Sequence, residues 1–363
     1  MPGGEVVASM SSPPDRHVVY GWQAQSTKPL ARIVRSERIY LWDAAGRRIM
    51  DFCSGQINVN VGYGHPAILA AMREQMAEMT YVAPGFETEP RSKLAALIAE
   101  RLPAGLDQVF FTNSGSESVE VAIKISRAVT RRTKIYSAWR SYHGNSAGAS
   151  AISGDPRRLF AEPAVPGVSK FHGATCYCCP FGERSPPGCG YACLSSLTRA
   201  VLLEGPETIA AIVVEPIVGT SGLYVPPAEY LRGIRRLCDE HGILLVFDET
   251  MTGWGRTGRW FAWEHSDVRP DMITTAKGIT SAYVPLGATI MTARLREVFL
   301  DRVFVAGSST EGHALGCAAG IANIQVYESE GLIEHSRLLG DYLLEQLRAV
   351  ARSEEHTSEL QSP

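Results

Sequence analysis

Residues 230–249 read "YLRGIRRLCDEHGILLVFDE", and this stretch decides the fold. Apolar side chains recur at helical spacing through "YLRGIRRLCDEHG", with arginines and acids on the other face. "ILLVF" then runs apolar without alternation before stopping on Asp248 and Glu249. A strand that does not alternate is buried on both faces, which is the condition of a parallel sheet covered by helices. The same rhythm extends outward in both directions. "QVFF" precedes "SVEVAIKISRAVT", and "KIYSAW", "TIAAIVVEP", "DMITTA" and "GATIMTA" supply further short apolar runs. The expectation is an α/β protein with a mainly parallel sheet, whose ligands gather at the carboxyl ends of the strands. Ahead of this lies a hairpin meander over "ARIVRSERIYLWDAAGRRIMDF", then a helix over "AILAAMREQMAEM". Residues 155 to 190 read as one long loop.

Composition narrows the partners. The 363 residues carry 35 basic and 38 acidic side chains and 45% hydrophobic content, enough for a large core plus a smaller domain. No basic stripe points to nucleic acid and no run of eighteen apolar residues points to a membrane. The first residues, polar and proline-rich, lack the features of a secretory signal, so the chain reads as cytoplasmic with a small-molecule partner. Residues 1–20 are expected to be disordered. Cys53, Cys238 and Cys317 stand singly in apolar context, whereas five of the eight cysteines crowd into "CYCCPFGERSPPGCGYAC", residues 176–193. With C-x-C-C and C-x₃-C spacing in place of two C-x₂-C knuckles, these five are expected to be reduced thiols without metal.

Polar residues stand where strands of such a sheet would end. Ser114, Gly115 and Ser116 open a helix, as an ordinary capping box or as a cradle for phosphate. Asp248 is either a cap or a functional carboxylate, Tyr142 either a core aromatic or a ring platform, and Glu215 again follows a buried strand. Lys277, in "PDMITTAKGITSAYVPLGA" (270–288), is a lone ammonium in apolar surroundings. Taken together, phosphate cradle, aromatic, strand-end aspartate and downstream lysine are what pyridoxal phosphate needs: a lysine to carry it, a carboxylate to keep its ring nitrogen protonated, and a helix end for its phosphate.

With those residues stands a wider series: "LWDAAGRRIMDFCSG", "NVNVGYGHP", "FFTNSGSESVEVAIK", "YHG", "VVEPIVG", "FDETMTGWGRTG", the lysine segment and "GHALGCAAG". In this order the chain resembles the class III, or ω-amino acid, aminotransferases of the aspartate aminotransferase fold, type I of the pyridoxal-phosphate enzymes. The resemblance covers about Trp22 to Val350. It implies Lys277 as the cofactor-bearing lysine, Asp248 as the partner of the ring nitrogen, Tyr142 on one ring face and Ser114, Gly115 and Ser116 as the phosphate loop. Thr250 stands where members usually carry valine or isoleucine against the second face. Met251 replaces a glutamine that in some members bonds the ring oxygen. Ser309 or Thr310 matches a threonine sent across a homodimer to the partner's phosphate, although "SSTEGH" departs from the usual "FTYSGH". Glu215 resembles a glutamate that pairs with a carboxylate-binding arginine in members handling two substrate types. Ile57 and Tyr81 join it as substrate candidates.

The implied activity is transfer of an amino group from a terminal-amine donor to an oxo acid such as pyruvate or 2-oxoglutarate. "YVAPGFETEPRSKLA" and the cysteine segment look most like the taurine– and β-alanine–pyruvate branch. The alternative is a lyase on the same scaffold, acting on an amino-phosphonate or amino-alcohol phosphate. The expected organisation is a small-domain segment at 21–65, a large cofactor domain at 66–315 and the start of a second small-domain segment at 316–351. Residues 352–363, "SEEHTSELQSP" after Arg352, read as the translation of a sequencing adapter on a truncated gene, and such a chain is expected to be poorly active.

Overall fold

In the computed structural model, residues 17–27, 31–182 and 186–353 are described, with side chains to Val350. Of the disorder expected over 1–20, residues 1–16 lie outside the described residues, and of the tail expected over 352–363, so do residues 354–363, while 352 and 353 end the last helix. A small antiparallel sheet comes first, from β1 (Ile33–Glu37), β2 (Tyr40–Asp43) and β3 (Arg48–Met50). This is the expected meander. Asp43 closes its second turn by accepting from the backbone N–H groups of Ala45 and Arg47. After a short kinked turn, α1 (Ser54–Ile57), come α2 (Pro66–Glu78) and α3 (Glu89–Ala99).

The large sheet has seven strands: β4 (Leu106–Thr112), β5 (Lys134–Ala138), β6 (Val168–Phe171), β7 (Ile209–Val214), β8 (Leu244–Asp248), β9 (Met272–Thr275) and β10 (Gly287–Thr292). Their order is β4-β10-β9-β8-β7-β5-β6. β6, β5, β7, β8 and β9 pair in parallel, while β10 is antiparallel to both β9 and β4. Only β10 therefore runs against the rest, and the carboxyl ends of the other six share one edge. In β8, Leu244 and Val246 belong to one core and Leu245 and Phe247 to the other. That is why "ILLVF" shows no alternation.

The cores are covered by α4 (Gly115–Thr130) and α5 (Ala147–Ile152) on one face, and by α6 (Ala192–Glu204) and α7 (Ala228–His241) on the other. α8 (Ala293–Glu297), α9 (Ala314–Ser329) and α10 (Leu332–Ser353) complete the described chain. Most of α9 is buried, against α2, α3 and the turn after β9. α10 is the reverse case: Leu338, Leu339, Tyr342, Leu343, Leu347 and Val350 form the apolar face expected from their spacing, and all are exposed. The expected bare loop at 155–190 needs correcting. It contains β6 and two short 3₁₀ turns, Pro156–Ala161 and Cys176–Cys178. "VSKF" offers too few apolar positions to be recognised as a strand; parallel pairing with β5 is what fixes it.

Candidate active site

Strand order places four functional candidates side by side. β9, β8, β7 and β5 are neighbours, and their carboxyl ends lead into Lys277, Asp248, Glu215 and Tyr142. β4 delivers Ser114, Gly115 and Ser116 to the same edge. A cavity of about 210 Å³ opens there, lined by Gly115, Ser116, Tyr142, Glu215, Asp248 and Lys277, with His143, Thr220, Thr250 and Met251 among the remaining walls.

Lys277 sits at φ 48 in a tight turn directly after β9. Gly278 follows because nothing larger fits: an added Cβ would stand 2.5 Å from Asn60 Nδ2 and 2.7 Å from Trp254 Cβ. α9 then locks the turn. Asn323 Nδ2 donates to the Gly278 and Ile279 carbonyls at 2.8 and 3.0 Å, and the Tyr327 hydroxyl donates to Gly278 at 3.0 Å. Burial lowers the Lys277 pKa below its ordinary value, against the opposing pull of Asp248 and Glu215.

Asp248 is buried and hydrogen-bonded through both oxygens, yet still lines the cavity. Its Oδ1 accepts from the Thr250 N–H and the Thr274 hydroxyl, both at 3.0 Å, and Oδ2 lies 2.8 Å from His143 Nδ1. Burial alone would raise this carboxyl; His143 and Thr250 outweigh it and hold the group below the usual carboxylate range. The neighbouring Glu249 has a different role. It accepts from the Ala262 and Trp263 N–H groups at 2.9 and 2.8 Å, and burial pushes its pKa up to about 7. The two adjacent acids thus point to opposite sides of the strand end, one to the cavity and one into the packing.

The phosphate-cradle residues divide similarly. Ser114 is the helix cap, accepting from Glu117 N–H at 3.2 Å, and does not line the cavity. Ser116 does, but its hydroxyl oxygen already accepts from the Asn145 and Ser146 N–H groups at 3.0 and 2.9 Å. What the turn offers an anion is the first-turn backbone N–H groups of α4 at their positive end. Gly115 and Gly144 keep that end open: a Cβ on Gly115 would lie 2.6 Å from Thr250 Cγ2, and one on Gly144 2.4 Å from Ser116 Oγ.

Glu215 accepts from the Tyr142 N–H at 3.0 Å and the Gly219 N–H at 2.7 Å. Burial pushes its carboxyl up and nearby Asp248 adds to the effect. Among the described residues no arginine is hydrogen-bonded to it. Ile57 and Tyr81, the other substrate candidates, do not line the cavity of their own chain. Ile57 ends the kinked α1 turn, and the Tyr81 hydroxyl donates to the Ser309 carbonyl at 2.8 Å. Ser309 and Thr310 also lie outside their own chain's cavity, with the Thr310 hydroxyl donating to Asn113 Oδ1 at 2.9 Å.

Two residues escaped the sequence reading. His143, beside Tyr142 in "YHG", is the buried partner of Asp248; its adjacency to a quoted aromatic was the available signal. Arg157 gave none. Its guanidinium stacks 3.8 Å from the centre of the Tyr142 ring and 5.4 Å from that of Trp22. It is held in a fork by Asp155 at 2.8 Å on both oxygens, and Nη2 donates to Thr220 Oγ1 at 3.1 Å.

The cavity suits pyridoxal phosphate. The buried Thr250 Oγ1 and His143 Nε2 have no partner among the described residues, glycines keep the helix end open, and an amine, Lys277, and a carboxylate, Asp248, both line it. Comparison with known proteins agrees. The family model "Aminotransferase class-III" matches residues 22–362. A taurine–pyruvate aminotransferase of Bilophila wadsworthia is 36% identical over 331 residues, 87% of this chain and 72% of that protein. An omega-aminotransferase of Caulobacter vibrioides is 37% identical over 84% of this chain and 72% of its own. Among solved structures, the taurine:2-oxoglutarate aminotransferase of Bifidobacterium kashiwanohense, in complex with pyridoxal phosphate and glutamate, superposes with a TM-score of 0.90 at 38% identity, covering 93% of this chain and 77% of that one. The chain belongs to the class III aminotransferases, enzymes that move amino groups with pyridoxal phosphate.

Proposed function

We propose that this aminotransferase takes its amino group from a short terminal amine with a remote anion, of the taurine or β-alanine kind, and passes it to pyruvate or 2-oxoglutarate. The observation that carries this is Arg157: a cation stacked on one cavity wall, Tyr142, and bonded to another, Thr220. Among the described residues its Nη1 makes no hydrogen bond, which leaves donors for a sulfonate or carboxylate. The names of the relatives support the same substrate class.

Bound pyridoxal phosphate supplies an electron sink for the carbon that carries the amine. The rest is work for the chain. Lys277 Nζ would hold the cofactor, and once released it would move a proton between the amine-bearing carbon of donor or acceptor and the cofactor. Burial favours its neutral form for that purpose. Asp248 would keep a proton on the ring nitrogen, and His143 and Thr274 are positioning residues that fix its two oxygens. The α4 N-terminus would hold the phosphate, and Tyr142 and Thr250 would hold the ring.

Replacing Arg157 by Ala is expected to raise KM for taurine and for 2-oxoglutarate by about 10- to 100-fold, the loss of one hydrogen bond to a charged group, with kcat changed far less. A donor amine without an anion should be unaffected. An equal loss on both donors would show that Arg157 does not bind the anion.

The protein acts as an isologous homodimer in this reading, with Ser309 or Thr310 reaching the partner's phosphate. Sedimentation at assay concentration should give a dimer, and a fully active monomer would refute the assignment.

A further inference from the structure

The fold sorts the five clustered cysteines into four and one. Cys178 is exposed, and its sulfur lies 3.4 Å from the Tyr224 hydroxyl. Cys176, Cys179, Cys189 and Cys193 instead line one small cavity of about 20 Å³. Cys176 is within electrostatic range of Cys179 and Cys189, and Cys193 of Cys176 and Cys189. Without Cys178 the spacing changes meaning. Cys176 and Cys179 become a C-x₂-C pair and Cys189 and Cys193 a C-x₃-C pair, both inside the range of structural zinc sites. The first pair lies on the 3₁₀ turn Cys176–Cys178 and the residue after it, while Cys193 is in the first turn of α6. Two short chelating pairs from separate elements facing one cavity is how a closed four-thiolate site is assembled.

We propose that Cys176, Cys179, Cys189 and Cys193 bind one zinc ion as a structural site that ties the segment after β6 to the start of α6. This departs from the expectation of five metal-free thiols, which counted Cys178 as a ligand candidate. As they stand, the sulfurs line the cavity without meeting at a point: no group of three or more His, Cys, Asp or Glu among the described residues is arranged to hold a metal. Each cysteine has one side-chain torsion, and rotation about it moves the sulfur toward or away from the cavity centre. Ligation draws the sulfurs to about 2.3 Å from the ion. Four thiols release four protons to solvent, and the site carries the charge of four thiolates less two. No oxidant is involved.

The test uses the full chain, purified without chelator from zinc-supplemented medium. About one equivalent of zinc is expected. Cys189→Ser and Cys193→Ser should each lower zinc content at least about tenfold, while Cys178→Ser retains it. Because the serine variants can misfold, wild-type protein supplies two further readouts. Cobalt exchanged into it should give thiolate charge-transfer bands with the ligand-field bands of tetrahedral geometry. Cys176, Cys179, Cys189 and Cys193 should become reactive to a thiol reagent only after chelation. Wild-type protein with no bound zinc or cobalt, disulfides among these cysteines in mass spectra, or zinc loss that Cys178→Ser reproduces would each overturn the proposal.

Discussion

Lys277→Ala is expected to abolish covalent retention of pyridoxal phosphate and to lower kcat by at least about 10⁴-fold, since one side chain is both the nucleophile and the proton carrier. Borohydride reduction of the holoenzyme followed by peptide mapping should find the pyridoxyl group on Lys277 in the parent and on no residue in the variant. A label on another lysine, or a variant that keeps its activity, would end the assignment. The fold should survive the change. The turn is held by Asn323 and Tyr327 on the Gly278 and Ile279 carbonyls, not by the ammonium. The pH dependence of stability has a definite sign. With the folded pKa below the unfolded one, the unfolded chain binds more protons between the two values, so in that window the cofactor-free protein gains stability as pH rises. The gain is complete above the unfolded pKa and disappears as pH falls through the folded one. Lys277→Ala should flatten that part of a melting-temperature profile, which separates the charge from the chemistry.

The sheet was readable because burial on both faces removes alternation from its strands, and strand ends then mark where polar residues matter. Lys277, Asp248, Glu215 and Tyr142 follow strands β9, β8, β7 and β5, which are adjacent in space as well as functionally suggestive in sequence. Residues that act from outside this frame were not readable. Arg157 reaches Tyr142 from a 3₁₀ turn after α5, and its aim depends on a fork from Asp155 that no periodicity encodes. The role of Ser116 depends on where Asn145 and Ser146 approach, thirty residues on; its hydroxyl was a candidate by spacing and is already engaged by position. Ile57 and Tyr81 lie outside their own chain's cavity for a related reason, since a motif gives sequence proximity to a site but not the direction a side chain takes. The cysteine spacing was counted along the chain, where Cys178 cannot be told from its neighbours. Only the turn at Cys176–Cys178 separates the sulfur that faces Tyr224 from those that face inward.

The second large effect concerns Asp248. Asp248→Asn preserves size but removes the charge facing the cavity, and it is expected to lower kcat by about 10²- to 10³-fold, the range for losing one preorganised electrostatic partner. KM should move little, because the group acts on the cofactor and not on the substrate's remote anion. Its surroundings make the result interpretable. Oδ1 accepts from Thr250 N–H and the Thr274 hydroxyl, and an asparagine oxygen can keep both bonds. The amide nitrogen then meets His143 Nδ1 and must donate where the carboxylate accepted, which inverts the polarity of one buried bond. The variant should therefore fold with the cofactor linked to Lys277 but with an altered absorption spectrum, the readout that a merely structural role for Asp248 would leave unchanged. Acid stability carries the same charge. The Asp248 carboxyl is held below its ordinary pKa in the folded protein, so its contribution is fully present above the unfolded value and is lost as pH falls through the folded pKa. Asp248→Asn should remove this part of the acid transition while leaving that of the exposed carboxylates in place. An Asp248→Asn enzyme with unchanged kcat and spectrum would assign the carboxylate to the packing of His143 and return the question of what protonates the ring to the remaining cavity walls.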